Sequence, residues 1–463
     1  MKKLLIANRG EIAVRVIRTA KEMGIKTVAI HSEVDSDALH TKIADESVCV
    51  GGNRAKDSYL NMPAILSAAE VTGADSIHPG YGFLSENSEF AKLIEECGLT
   101  YVGPSSESIR ALGSKVESRE VAKKAKIPLL PGSGIIENVK EAKKFAEQIG
   151  YPVLIKASNG GGGRGMRVVL DPSEFESTFR SAQNESKAAF GSPDVFIEKF
   201  IEKPKHIEIQ IAADKHGKII HFGERECSVQ RRHQKIIEEA PAPFFNQKQR
   251  DDLGALACQL ARDANYVGVG TVEFLMDEDQ SLYFMEMNSR LQVEHPVTEE
   301  VYGIDLVKIQ IDIADGKKLK FEQAEIKPVG HAIECRINAE DPVNFIPSPG
   351  KIETYIAPGG RRVRIDSGVY SGSKVSPFYD SMLAKLICWS DSRPNTIKTL
   401  KRALNEYIID GIKTNIPLHL DIVSSKDFKG SLHYTRWIEE VFLKKKIKKI
   451  KSSEQINSGI DAK

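Results

Sequence analysis

Residues 156–169 read KASNGGGGRGMRVV, and the elements flanking those glycines decide which nucleotide loop they form. Gly160, Gly162 and Gly165 satisfy G-x-G-x-x-G, but that fingerprint has meaning only between a strand and a helix N-terminus. Upstream, VKEAKKFAEQIG has a helical pattern and YPVLIKAS reads as a strand; downstream, GMRVVL carries Val168, Val169 and Leu170, which favour a strand. The glycines therefore join two strands. A P-loop is also excluded, because G-x-x-x-x-G-K-[ST] occurs nowhere in the chain. What remains is a hairpin whose backbone amides can fold over phosphates as a lid; the competing reading is an exposed, linker-like hairpin. Lys156 ends an apolar strand where a phosphate counter-ion would be wanted.

The N-terminal segment has a different pattern. Residues 3–31 run from LLIA through EIAVRVIRTAKEMG, with Ile12, Val16, Ala20 and Met23 at helical spacing, to KTVAIH, a βαβ signature. The runs SVCV, DSIH and LTYVG alternate with helical MPAILSAAEVTG and SEFAKLIEECG, so about the first 110 residues predict an open parallel sheet. Its first turn, Asn8-Arg9-Gly10-Glu11, has one glycine where a dinucleotide site wants three, and Glu11 would repel a pyrophosphate. SKVESREVAKKAKIP is helical and ends in PGSG. From about 204, HIEIQIAAD places Ile207, Ile209 and Ile211 on one face and His206, Glu208 and Gln210 on the other, as in a half-buried antiparallel strand. GVGTVEFLM, SLYFMEMN, GHAIECRINAED, KIETYIA and SMLAKLICWS continue this α+β character. The expected fold class is α/β and α+β multidomain, and LKKKIKKIKSSEQINSGIDAK after Phe442 reads as a solvated, disordered tail.

At 463 residues the chain predicts two to four domains. Lys plus Arg (65) nearly cancels Asp plus Glu (64), which argues against nucleic-acid binding but leaves room for a local anion site. Six scattered cysteines without a C-x-x-C pair suggest neither zinc nor a disulfide framework, and fit a reducing cytoplasm. No signal peptide or membrane span is expected.

The most informative chemistry lies in TVEFLMDEDQSLYFMEMNSRLQVEHPVTEE. A turn at DEDQ, paired symmetrically, sets Glu273 opposite Phe284 and diagonal to Glu286 on one face. Continued alternation puts Glu286, Asn288, Arg290, Gln292 and Glu294 on one side and Met285, Met287, Leu291 and Val293 on the other. A solvated sheet face explains such alternation, but two acids plus an Asn amide also form an all-oxygen set suited to Mg²⁺ with substrate phosphates. Arg290 and Glu294 add an anion fork and a candidate base. In ERECSVQRRHQKIIEEAPAP, Arg231, Arg232, His233 and Lys235 crowd into five residues, either a solvated face or an anion-binding loop.

Together, HPGYGFLSEN (78–87), KASxGGGGRGMR, RRHQKIIEEAPAP, EMNSRLQVEHPVTE and ECRINAEDP resemble the biotin carboxylase family of ATP-grasp enzymes, from residue 2 to about 443. The resemblance implies an N-terminal open parallel, Rossmann-like sheet (1–114), an ATP-grasp domain (115–315) with its lid at about 131–203, a C-terminal antiparallel domain (330–443) and a disordered tail (444–463). It implies that ATP phosphorylates bicarbonate to carboxyphosphate, whose CO₂ passes to the ureido nitrogen of biotin on a carrier protein. Lys115, Lys156, Gly162 and Gly163 match ATP-phosphate contacts; Glu198, Lys199, Phe200 and Ile201 match the adenine hinge; His206 and His233 match further nucleotide-site positions. Glu273 and Glu286, which also line the ATP site, match the metal carboxylates, with Asn288 a further ligand for Mg²⁺ or Mn²⁺, two sites in all. Bicarbonate is expected against Lys235, Arg290, Gln292, the Val293 backbone and Arg336; Glu294 is its base, and Arg336 stabilises the enolate of biotin.

This sequence departs from the common family pattern at Asn159, where glycine is frequent, and Phe200, where tyrosine is frequent. Cys227, beside the cationic run, is expected to be a packed structural residue. The chain holds no biotin-accepting Met-Lys-Met sequence and no room for a carboxyltransferase, so a separate biotin carboxyl carrier protein and transferase subunits are expected partners. Acetyl-CoA carboxylase, making malonyl-CoA for fatty acid synthesis, is the expected parent complex, with a two-subunit pyruvate carboxylase or another acyl-CoA carboxylase as the alternative. The resemblance also implies a homodimer with Arg15 near its interface. Another bicarbonate-using ATP-grasp ligase and a silent nucleotide sensor are the rival readings; Arg336 argues against the first and Glu294 against the second.

Overall fold

The computed structural model describes residues 1–158 and 165–445, apart from the side chains of Lys115, Val116 and Phe190. The N-terminal sheet is parallel, with strands β1 (Lys3–Ile6), β2 (Lys26–Ser32), β3 (Glu46–Gly51), β4 (Ser76–His78) and β5 (Thr100–Tyr101) in the order β3-β2-β1-β4-β5. Its first crossover is the helix Gly10–Glu22, whose Ile12, Val16 and Ala20 are buried in one cluster with Leu4 and Ile6. That helix ends before Gly24, which takes the positive φ (75°) that turns the chain into β2. Both faces of β1 are buried, as a parallel sheet covered by helices requires.

The glycine hairpin springs from a second, three-stranded sheet. Strands β6 (Val153–Ala157), β7 (Met166–Val169) and β8 (Val195–Lys199) are antiparallel in the order β7-β6-β8, with Lys156 paired to Met166. One face packs Val153, Ile155 and Ile197 against Ala142, Ala146, Phe175 and Phe179 of the helices Val139–Ile149 and Phe175–Phe190. Lys156 and Glu198 lie on the other parity and line a large cavity. The strand-to-strand setting expected for the hairpin is present, whereas Gly162, Gly163 and Asn159 lie outside the described residues.

The largest sheet is antiparallel and carries the cavity floor. It comprises β9 (Lys205–Ala213), β10 (Ile219–Arg231), β11 (Gln234–Ala240), β12 (Gly268–Met276), β13 (Leu282–Asn288), β14 (His331–Asn338) and the strands Met382–Ser390 and Val363–Ser367. The order is β13-β12-β9-β10-β11-β14, then Met382–Ser390, then Val363–Ser367. The β11–β14 pairing carries this sheet without a break across the segment 315–330, where one domain was expected to end and another to begin.

Three local expectations need correction. β9 is not half-buried: His206, Glu208 and Gln210 are buried like Ile207, Ile209 and Ile211, and charged side chains from β10 and β11, Arg225 and Lys235, bond to Glu208 and Gln210 on the polar face. The β12–β13 register also differs. The connection is the five-residue Asp277–Ser281, tightened by bonds from the backbone N–H of Asp279 and Ser281 to Asp277 Oδ1, and a bulge at Met285 adds a further step. Glu273 consequently stands directly opposite Glu286, not Phe284. Finally, β13 ends at Asn288, so Arg290, Gln292 and Glu294 come from an irregular segment leading into the helix His295–Tyr302 rather than from continued strand alternation. Arg15, on the helix Gly10–Glu22, donates its Nη2 to Glu299 (2.7 Å) and Asp305 (2.9 Å).

Candidate active site

Between the three-stranded sheet and the large sheet lies a cavity of about 1690 Å³. Its floor is an alternation of buried charges. Lys235, one residue into β11, projects its Nζ onto three carboxylates, at 2.5 Å from Glu208, 2.6 Å from Glu294 and 3.0 Å from Glu273. Glu294 has no exposed surface and is gripped on its other oxygen by Arg336 Nη2 (3.0 Å), while Arg336 Nε donates to Glu238 (2.6 Å). Glu294 is also the N-cap of the helix His295–Tyr302, where the helix dipole favours an anion. Arg225, fully buried on β10, donates to Glu208, Gln210, Thr271 and Thr298 and closes the network from below. Gln292 Nε2 donates to Glu273 Oε1 (2.7 Å), and Arg290 Nη2 to Asn288 Oδ1 (3.0 Å).

These neighbours set the protonation states. Burial alone would raise the Glu294 carboxyl, but the charges of Lys235, Arg336 and Arg225 outweigh it and hold the group below the ordinary carboxylate range. For Glu273 burial likewise acts upward and is overcome, here by Lys235 and His206. Glu286 moves the other way: burial and the carboxylates of Glu273 and Glu86 push it up. Glu238 is raised to about 7, burial and the Glu294 charge together exceeding the pull of Arg336.

That paired arrangement of Glu273 and Glu286 fits a divalent cation. Two carboxylates face each other across neighbouring strands, with Asn288 two residues along, and their mutual repulsion is what a hard cation relieves. His206 Nε2 lies 3.2 Å from Glu273 Oε2 and its Nδ1 3.2 Å from Gln230, so His206 borders this set.

On the opposite wall, Lys156 Nζ is ion-paired to Glu198, whose other oxygen takes a bond from Arg119 Nη1 (2.7 Å). Lys199 lines the cavity, and its ammonium donates to the carbonyls of Gly150 (2.9 Å) and Tyr151 (3.0 Å). The backbone N–H groups of Lys199 and Phe200 donate to Pro131 and Pro152, and Arg436 lies over the Phe200 ring at 4.5 Å. Ile201 lines the same wall. The side chain of Lys115 lies outside the described residues, and its backbone begins the helix Lys115–Lys124.

The cationic run RRHQK is not one patch. It forms the β10–β11 turn, with Arg232 and His233 at positive φ and exposed, although His233 borders the cavity. Arg231 points to Glu340 (3.1 Å) and stacks on Phe345, and Lys235 alone enters the floor. Cys227 is buried, and burial pushes its thiol well above the ordinary range, as befits a packed residue. The residues not singled out beforehand are Glu208, Arg225, Glu238 and Lys385. Each is a charge inside an otherwise buried strand, which is the signal by which they stand out once the strands are known.

A carboxylate held between cations beside a facing pair of acids, under a glycine-hairpin sheet, is an arrangement suited to an ATP-dependent ligase, and comparisons with known proteins agree. Residues 1–109 match the family "Biotin carboxylase, N-terminal domain", 114–322 match "Carbamoyl-phosphate synthase L chain, ATP binding domain" and 334–440 match "Biotin carboxylase C-terminal domain". The chain belongs to the biotin carboxylase family. It is 52% identical over 442 residues to Biotin carboxylase 1 of Bacillus subtilis, covering 95% of this chain and 98% of that one. The crystal structure of the biotin carboxylase domain dimer of Hydrogenobacter thermophilus 2-oxoglutarate carboxylase, in complex with MgADP, ADP and bicarbonate, superposes with a TM-score of 0.89 at 50% identity, over 95% of this chain and 97% of that one. The biotin carboxylase subunit of a pyruvate carboxylase gives 0.84 at 50% identity, over 95% and 98%. No helix among the described residues is long and apolar enough to cross a membrane.

Proposed function

We propose that this chain is the biotin carboxylase subunit of acetyl-CoA carboxylase, acting in the cytoplasm as a homodimer with a biotin carboxyl carrier protein and carboxyltransferase subunits. In this reading residues 1–114, 115–315 and 330–443 are its three domains, and about 131–203 is the lid over ATP. The observation that supports its biotin carboxylase activity is the buried carboxylate of Glu294 shared by Lys235 and Arg336. Bicarbonate is an anion and a poor nucleophile until it loses its proton. On entering beside Lys235, Arg290, Gln292 and the Val293 backbone, it takes a share of the cations that now hold Glu294 down. The Glu294 carboxylate then regains basicity and accepts the bicarbonate proton. A bicarbonate oxygen bonds to the γ-phosphorus of ATP as the bond to ADP breaks, giving carboxyphosphate. A divalent cation on Glu273, Glu286 and Asn288 would neutralise charge on the phosphate oxygens. Lys156 and Lys115 attract those phosphates, and the amides of Gly162 and Gly163 cover them and exclude water from carboxyphosphate. Glu198, Lys199, Phe200 and Ile201 flank the adenine, with His206 and His233 at the nucleotide's other edges. Arg336 then stabilises the enolate oxygen of biotin as its nitrogen takes up CO₂.

Free biotin should stimulate bicarbonate-dependent ATP cleavage by the purified chain with Mg²⁺; turnover indifferent to biotin would overturn the reading. The choice of acetyl-CoA carboxylase over a pyruvate or 2-oxoglutarate carboxylase is tested by identifying the biotinylated subunit and the acceptor it carboxylates.

A further inference from the structure

Lys385 is the one charged residue in the strand Met382–Ser390, and it has no exposed surface. Burying its ammonium is costly unless the group is paired and hydrogen-bonded. Its Nζ donates to the carbonyl of Val293 at 2.9 Å and lies 3.2 Å from Glu11 Oε2. It thus ties the C-terminal part of the sheet to the first turn of the N-terminal helix Gly10–Glu22 and to the residue immediately before Glu294. Lys385 and Arg336 are direct cross-strand partners, so they stand side by side on one face. One holds the main chain of the Val293–Glu294 dipeptide and the other the Glu294 carboxylate.

Glu11 is itself built in rather than incidental. A side-chain atom added at Gly368 would meet the backbone N of Glu11 at 2.6 Å, so the turn after Val363–Ser367 packs directly on the helix start. The carboxylate oxygens of Glu11 are buried and take no hydrogen bond, and Lys385 is the cation beside them, with the acids Asp366 and Asp380 also close.

We propose that Lys385 is a positioning residue for the bicarbonate site: it fixes the Gln292–Glu294 backbone through the Val293 carbonyl, and so sets where bicarbonate meets both the backbone and its base. The inference rests on the bicarbonate site described under Proposed function. Lys385→Met keeps the length of the side chain and removes the donor. In steady-state ATP cleavage with biotin, this variant should raise KM for bicarbonate about tenfold or more while KM for ATP stays within twofold, because the ATP wall contains no Lys385 contact. An unchanged bicarbonate KM, or equal rises in both KM values, would overturn the proposal. If Lys385→Met does not fold, Lys385→Arg is read in the same assay. A guanidinium that keeps the bond should hold bicarbonate KM within about threefold, and a tenfold rise with Arg would also overturn it. Wild-type turnover that needs no bicarbonate would instead refute the site reading and leave Lys385 without a role.

Discussion

Replacing Lys235 by methionine should destabilise the protein in a pH-dependent way. The substitution removes one ammonium from three buried carboxylates, Glu208, Glu273 and Glu294. Their remaining partners differ: Glu208 keeps Arg225 and Glu294 keeps Arg336, whereas Glu273 is left with His206 and Gln292. Removing one member of a buried ion pair costs about 3–5 kcal/mol, and two surviving arginines place this case near the lower end, about 3 kcal/mol. At roughly 2 °C per kcal/mol for a large cooperative unit, Tm should fall by about 6 °C at pH 7.5. Glu273 and Glu294 have depressed values in the fold, so their stabilisation is present above the unfolded carboxylate pKa of about 4.3 and is lost as pH falls through the folded values. In the variant burial, no longer opposed by Lys235, lifts these values above the unfolded one, so the folded state takes up protons first and gains stability as pH falls. The deficit relative to wild type should therefore shrink between pH 7.5 and pH 5. Thermal unfolding followed by circular dichroism at both pH values reads this directly. A variant with unchanged Tm at pH 7.5, or a deficit constant with pH, would refute the electrostatic account of the floor.

Glu334, opposite Glu238 across β11 and β14, is buried with both oxygens unpartnered, and burial raises its carboxyl well above the ordinary range despite Lys385. Its protonated form stabilises the fold fully below the unfolded carboxylate pKa of about 4.3, and this is lost progressively as pH rises from there through the folded value, so the Tm of Glu334→Gln should gain on wild type steadily between pH 6 and pH 9; a loss that grows with pH would contradict this. Glu286→Gln removes half of the paired-acid set, and the Mg²⁺ concentration needed for half-maximal ATP cleavage should rise at least tenfold, whereas an unchanged Mg²⁺ titration would remove Glu286 from the metal set.

The sequence discloses periodicity better than register. Ile12, Val16 and Ala20 announced the first crossover helix, and the Val168-Val169 pair correctly marked a strand after the glycines, because both signals are local. The Glu273–Glu286 pairing was shifted by a five-residue turn and a bulge at Met285, neither of which leaves a distinctive composition. Arg336, Lys235 and Glu294 are separated by up to 101 residues, from Lys235 to Arg336; the β11–β14 pairing brings the first two together and the start of the helix His295–Tyr302 brings Glu294 to them. The burial of Glu208 and Arg225 was equally hidden, since an alternating polar face reads the same whether water or other charges cover it. The family resemblance supplies candidate site residues that periodicity does not, but the clamp on Glu294 emerges only from distances.

In the proposed reaction this site uses ATP to activate bicarbonate. When a bicarbonate oxygen bonds to the γ-phosphorus and the carbon–oxygen bond of carboxyphosphate later breaks, that oxygen stays with phosphate. Turnover in ¹⁸O-bicarbonate with biotin and Mg²⁺ should therefore yield inorganic phosphate carrying one bicarbonate-derived oxygen per molecule, measured by mass spectrometry before exchange with water. Phosphate free of label would contradict the account, because its fourth oxygen would then have come from water.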